Sequence, residues 1–294
     1  MIQSQAWRRI VLFVVLVIAF SIVIALLQAF LPSGSDLIVI RWSPFVADVT
    51  KMWSVGIAGL IALLVVDRSV RGVGWRLCPP RYFAIAAAVP FVCDLVGSSV
   101  IWMSGAGGFQ GFENFLTRLA KSPLRLPLHL LWAAGEEIGW RGVLVPNLAC
   151  ASGFAVSALL PGAVWAVWHY PDILYFGYDF GIPPAYALTF FSISLIGSGV
   201  FLTWLRLVSG SVWPAVLAHG VSNTLDGVFN PATVNGPMTP CIAGIVGAIV
   251  SMTLGYVFWT RRAAADKAIA RLCAPDDHLP SGNVAVMGRG PIHR

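Results

Sequence analysis

The chain has 294 residues, 57% of them hydrophobic and 11% charged, with a formal net charge of +6 and a mean hydropathy of +0.79. Soluble domains carry roughly a quarter charged residues, so this composition cannot cover a water-facing surface, and a soluble protein is excluded. The positive charge lies in short arginine clusters between apolar runs, with no basic stripe and no zinc-finger spacing, which excludes nucleic acid as a partner.

The expected fold is all-α, a polytopic membrane bundle of about eight transmembrane helices, with the lipid bilayer as its surroundings. The first apolar run, IVLFVVLVIAFSIVIALLQAF from Ile10, follows Arg8 and Arg9. It exceeds the roughly 7–15-residue core of a signal peptide and lacks a small-residue cleavage site, so it reads as a retained span. Seven further spans are predicted at about 45–66, 82–104, 126–148, 154–174, 184–207, 211–229 and 239–260. Each is close to the ~20 residues needed to cross hydrocarbon as a helix.

The charges between the spans predict orientation. Arg8 and Arg9 precede span 1, and Arg68, Arg71, Arg76 and Arg81 separate spans 2 and 3. Arg206 closes span 6, and Arg261, Arg262, Lys267 and Arg271 follow span 8. Positive-inside counting places all four sites, and both termini, in the cytoplasm of a cell whose inner membrane the chain spans; that requires an even number of spans. One loop, 105–125, is discordant, with Arg118, Lys121 and Arg125 on the outer side. Its segment FENFLTRLAK is amphipathic and is expected to lie along the interface. Residues 274–294, rich in Pro, Gly and polar side chains, read as a disordered tail, which leaves 1–273 as one transmembrane domain. The five cysteines are odd in number, widely spaced and free of CxxC, and predict neither a disulfide framework nor a thiolate metal site.

An ionisable side chain at the bilayer centre costs about 2.5–3.5 kcal/mol, so such residues face the bundle interior and mark function. The candidates are Asp94 in span 3, His129, Glu136, Glu137 and Arg141 in span 4, His169 in span 5, and His219, Asn223 and Asp226 in span 7. Glu137 and Arg141 stand at i, i+4 in the favourable acid-before-base order and predict an intrahelical ion pair. Glu136 points about 100° away around the helix and is left available. His219 and Asn223 share a face of span 7, and Trp165 and His169 share one of span 5. Glu136, His169 and His219 thus sit on three spans, where they can meet at mid-depth in a polar cavity. His129 reads as an interhelical hydrogen-bonding contact, Asp226 as a solvated residue near the span end, and Trp165 as core packing. Asp94 reads equally as a helix partner or a substrate contact.

At these residues the sequence resembles the CPBP intramembrane proteases, the group that includes CAAX prenyl endopeptidases and bacteriocin-immunity-type Abi proteins. That family carries Glu-Glu-xxx-Arg, Phe-xxx-His and His-xxx-Asn or Asp on separate membrane helices. Here they read EEIGWR (Glu136 to Arg141), WAVWH (Trp165 to His169) and HGVSN (His219 to Asn223), spanning roughly 126–229, with Trp in place of Phe in the second. No HExxH signature exists in the chain. The resemblance implies an endopeptidase acting on membrane-associated protein or peptide substrates, CAAX-type ones among them. Glu136 with His169 would activate a water, and His219 with Asn223 would stabilise the oxyanion. Glu137 and Arg141 would hold the helix and contact substrate.

Two chemistries stay open at this point. Glu136, His169 and His219 could supply the three protein ligands of a catalytic zinc, or the site could work with no cofactor as a glutamate protease, which Asn223 favours as an oxyanion donor. Readings from other classes also stand: an ion- or proton-coupled transporter whose Pro90, Pro161 and Pro214 mark broken helices, or a non-catalytic immunity or scaffold protein.

Overall fold

Proline and glycine punctuate the helices of the computed structural model, which describes residues 2–30, 43–176, 182–230 and 243–274, with short strands at 36–37, 40–41 and 233–234. Helix α1 runs Ile2–Phe30. Helix α2 (Pro44–Asp67) begins at Ser43, whose hydroxyl accepts from the Val46 amide, with proline in its first turn. It ends at Arg68, a left-handed residue with φ 54°. Helices α3 (Pro80–Ser104) and α6 (Pro184–Ser209) start at proline and stop at Gly105 and Gly210, both at positive φ. Between α3 and α6 lie α4 (Phe112–Gly139), a π-helical turn at Trp140–Leu144, and α5 (Val145–Tyr175). Helices α7 (Trp213–Phe229), α8 (Ile245–Trp259) and α9 (Arg262–Leu272) follow. Two-residue antiparallel pairings join 36–37 to 40–41 and 108–109 to 233–234.

Five segments among the described residues are long and apolar enough to cross a membrane, and one of them, Phe112–Tyr175, is 64 residues long. It does not cross once. In a straight helix Glu136 and Trp165 would stand about 43 Å apart, yet their side chains are hydrogen-bonded. The chain reverses at Gly153, whose φ of 77° and ψ of −173° lie outside the helical region. The predicted spans 4 and 5 are therefore the two legs of one hairpin. Helices α7 and α8, of 17 and 15 residues, are shorter than predicted. Residues 239–242 of the last predicted span, Cys241 and the tail from 275 onward lie outside the described residues.

Several expectations change. FENFLTRLAK forms the first turns of α4 and is continuous with predicted span 4, because Pro123 and Pro127 are accommodated without ending the helix. Pro90 and Pro161 are likewise inside continuous helices, and Pro214 sits in the first turn of α7, where its missing N–H breaks no bond. The departures from α geometry fall instead at 140–144 and Gly153. Cys150 and Cys273 form a disulfide with Cα atoms 5.6 Å apart, tying α9 to the start of α5. Their separation of 123 residues carries no local signal, so only the fold brings them together. In a reducing compartment they would stand as adjacent thiols.

The arginine clusters gather at one end of the bundle. Arg9 pairs with Asp67 at 2.7 Å and bonds Asn147, Arg206 donates to the Val73 carbonyl, and Trp204 donates to that of Arg261. At the opposite faces of α1, Val11, Val15, Ile18 and Ile22 are exposed, as lipid contact requires.

Helices α2 and α4 cross backbone to backbone through glycine. A Cβ on Gly139 would lie 2.5 Å from the Val55 carbonyl oxygen, and one on Gly56 would lie 2.5 Å from that of Gly135. Small residues spaced in this way allow membrane helices to approach closely, and here they carry the middle of α2 against the Glu136–Glu137 turn. Gly139→Val is expected to push the helices apart at a cost of about 1–3 kcal/mol, read as a lower Tm in detergent. Gly72→Ala, whose Cβ would make only ordinary contact, should leave Tm unchanged.

Candidate active site

The two adjacent glutamates end α4, just before the helix widens into its π-turn. The Trp140 amide there is shared between the Glu136 and Glu137 carbonyls. Such turns occur often at functional sites, because they rotate successive side chains out of α register. Glu137 and Arg141 are both fully buried and pair as predicted, Oε1 to Nη1 at 2.7 Å. The guanidinium also lies over the Trp165 ring, 4.5 Å from its centroid. Three formal charges in an apolar run are thus sorted into a neutralised pair and one remaining carboxylate.

That carboxylate, Glu136, is 2% exposed and lies between the two imidazoles expected to meet it. Its Oε2 is 3.9 Å from His169 Nε2, and its Oε1 is 4.0 Å from His219 Nε2. Both separations exceed direct hydrogen-bond length. Trp165 donates its indole N–H to Glu136 Oε2 at 2.5 Å, so the residue expected to be mere core packing is a partner of the central carboxylate. His219 Nδ1 lies 2.9 Å from Glu137 Oε1. A carboxylate paired with arginine only accepts, so His219 donates from Nδ1 and turns Nε2 toward Glu136. Its ring also meets Trp165 edge-on at 5.1 Å.

Glu136, Trp165, His169 and His219 line one cavity of about 680 Å³, within the range of ligand-binding sites (about 300–1,000 Å³). Asn223, one turn beyond His219, lines it too. His129 bonds Thr224 across helices, Nδ1 to Oγ1 at 2.8 Å, as expected of a packing contact. Asp226 differs from expectation: it lines the cavity together with Asp94 rather than facing bulk solvent, because α7 continues to Phe229 under the cover of neighbouring helices.

Three charged residues of the cavity wall are missing from the sequence-derived set: Asp48 and Lys51 on α2, and Asp172 on α5. Each lies inside a predicted span, and a charge in an apolar run was the available signal. Lys51 forms an ion pair with Asp172 and lies 4.2 Å above the Trp168 ring. Asp172 Oδ2 is also 3.6 Å from His169 Nδ1.

Among the described residues no three His, Cys, Asp or Glu side chains are grouped as ligands would be. The two imidazole Nε2 atoms face different oxygens of Glu136, at 3.9 and 4.0 Å. The arrangement does not fit a zinc held by Glu136, His169 and His219, and no step is derived through one.

Residues 120–225, which hold all three motifs, match the family described as type II CAAX prenyl endopeptidase Rce1-like. The chain is 30% identical over 145 residues to a CAAX prenyl protease 2 from Methanococcus maripaludis, an alignment covering 48% of this chain and 49% of that protein. The chain thus spans about half the length of the curated relative it matches.

Proposed function

We propose that the chain, whose residues 120–225 match the Rce1-like type II CAAX prenyl endopeptidase family, belongs to that family and is an intramembrane endopeptidase. It hydrolyses peptide bonds of membrane-associated proteins with a water activated by Glu136 and His169. The observation that carries this reading is the placement of one unneutralised carboxylate between two imidazole Nε2 atoms on the wall of a cavity. CAAX-type proteins are the substrate class suggested by the relative's name.

The chemistry follows from who can accept and who can donate. A water between Glu136 and His169 gives its protons' hydrogen bonds to Oε2 and Nε2 and turns a lone pair toward the substrate carbonyl. As oxygen attacks carbon, Glu136 takes the proton. The carbonyl becomes an oxyanion, stabilised by the Asn223 amide and by His219 Nε2. To donate from both nitrogens His219 must be protonated, and Glu137, itself paired with Arg141, is the carboxylate that faces it. Collapse of the tetrahedral species expels the amine, which receives the proton from Glu136. Products are a carboxylic acid and an amine, between which the water's second proton passes to leave a carboxylate and an ammonium, and Glu136 is again ionised. Trp165 holds Glu136 in place throughout. We assign the arginine-rich end of the bundle to the cytoplasm of the cell membrane, by the positive-inside bias.

The test is a comparison of protein termini in membranes from cells making the wild type or Glu136→Gln at matched levels. New termini that require Glu136 establish the protease and identify its substrates. If a folded, abundant wild type produces none, the transporter or immunity readings replace this one. A pH-gradient-driven flux in proteoliposomes separates those two. Cleavage by the purified protein should persist after a strong chelator has been added and removed; loss restored by zinc would replace the glutamate mechanism with a metal-dependent one.

A further inference from the structure

We infer that Asp172 and Lys51 form a positioning pair for His169, in which Asp172 selects the imidazole tautomer that can accept from the attacking water and Lys51 holds Asp172 in place. Asp172 stands at i+3 from His169 on α5, so the two share a face. One oxygen serves both partners: Asp172 Oδ2 is the atom paired with Lys51 and the atom 3.6 Å from His169 Nδ1. The other ring nitrogen, Nε2, is the one turned to Glu136. Lys51, Asp172, His169 and Glu136 thus follow one another contact by contact from α2 through α5 to α4.

Neutral imidazole carries one proton, on one nitrogen. A proton on Nε2 would point at Glu136 Oε2 and compete with the water for it. A proton on Nδ1 leaves Nε2 as an acceptor, so the water meets two acceptors and its lone pair is free for the carbonyl. A carboxylate facing Nδ1 favours that second state, as orienting carboxylates do for other catalytic or metal-bound histidines. A separation of 3.6 Å is beyond a closed hydrogen bond, and such bonds are commonly long in unliganded sites and tighten when substrate enters.

Lys51 supplies the second half. It is 8% exposed, crosses from α2 to reach Asp172, and rests on Trp168, the residue preceding His169. Its cation keeps Asp172 ionised and acceptor-only, and the close glycine crossing of α2 with α4 keeps Lys51 at that depth. Asp48, one turn earlier on α2, lines the same cavity and interacts electrostatically with Lys51.

The activity arm of the test rests on the proposed endopeptidase reading; the spectroscopic arm does not. The full chain, labelled with ¹⁵N-histidine and placed in nanodiscs, gives the His169 tautomer by NMR, with His169→Gln used for assignment. The wild type should carry its proton on Nδ1. The Lys51→Gln/Asp172→Asn double variant removes both charges together, leaving no buried ion unpaired, and its amide can offer an N–H to Nδ1. It should move the proton to Nε2. On a peptide spanning a Glu136-dependent cleavage site, kcat should fall about a hundredfold, the low end of general-base contributions, with KM unchanged; Asp172→Glu should recover most of it. A wild-type proton on Nε2, or an unchanged tautomer and kcat in a folded double variant, overturns the inference and reduces the pair to a strut between α2 and α5. Should the double variant fail to accumulate, the wild-type tautomer decides alone.

Discussion

Glu136→Gln should abolish cleavage, by a factor of about 10³ or more, while the protein folds with a Tm close to that of the wild type. General-base removal costs about 10²–10⁴, and here the same carboxylate also returns the proton to the leaving amine. Glutamine has the same shape, and its carbonyl oxygen can still accept the Trp165 indole N–H that Glu136 receives. Glu136 forms no arginine or lysine ion pair within 4 Å among the described residues, so neutralising it strands no counterion. Single-turnover cleavage and thermal unfolding on one preparation measure both halves. Intact cleavage removes Glu136 as the base; loss of the fold makes it a structural carboxylate.

Arg141→Met should do the reverse, unfolding the protein rather than merely slowing it. Arg141 and Glu137 are each fully buried, and the removal of one partner leaves the other charge uncompensated, at a cost of about 3–5 kcal/mol. That is a large share of a marginal stability of about 5–15 kcal/mol. The Glu137→Gln/Arg141→Met double variant removes both charges and should recover much of the lost Tm, since contacting residues are not additive. It should not recover activity, because His219 loses the carboxylate that orients it. Equal Tm losses in the single and double variants would show that packing, not charge, sets the cost.

The contrast between the two glutamates was readable from spacing alone. An i, i+4 acid–base pair closes on one helix face whatever surrounds it, so Glu137–Arg141 needed no tertiary information. Pairing across helices was less legible. Trp165 looked like core because an indole is mostly apolar, and its N–H matters only once a carboxylate stands opposite. Lys51 and Asp172 carry only the local signal of a charge in an apolar run, and nothing local says that α2 crosses α4 closely enough to bury Lys51. The Cys150–Cys273 bond and the turn at Gly153 were invisible for the same reason: each depends on where distant segments arrive.

What the chain's composition and periodicity determined by themselves is the class: a helical, multi-pass membrane protein with a few ionisable groups too costly to leave in lipid. Hydrophobic run length and the price of a bare charge in hydrocarbon are local quantities, summed along the chain. Only the tertiary structure decided which charges from different helices neutralise one another and what the remaining carboxylate faces across the cavity. That outcome depends on separations of 3.9 and 4.0 Å between residues from α4, α5 and α7, and interactions of that range are set by helix crossings, which no single segment encodes.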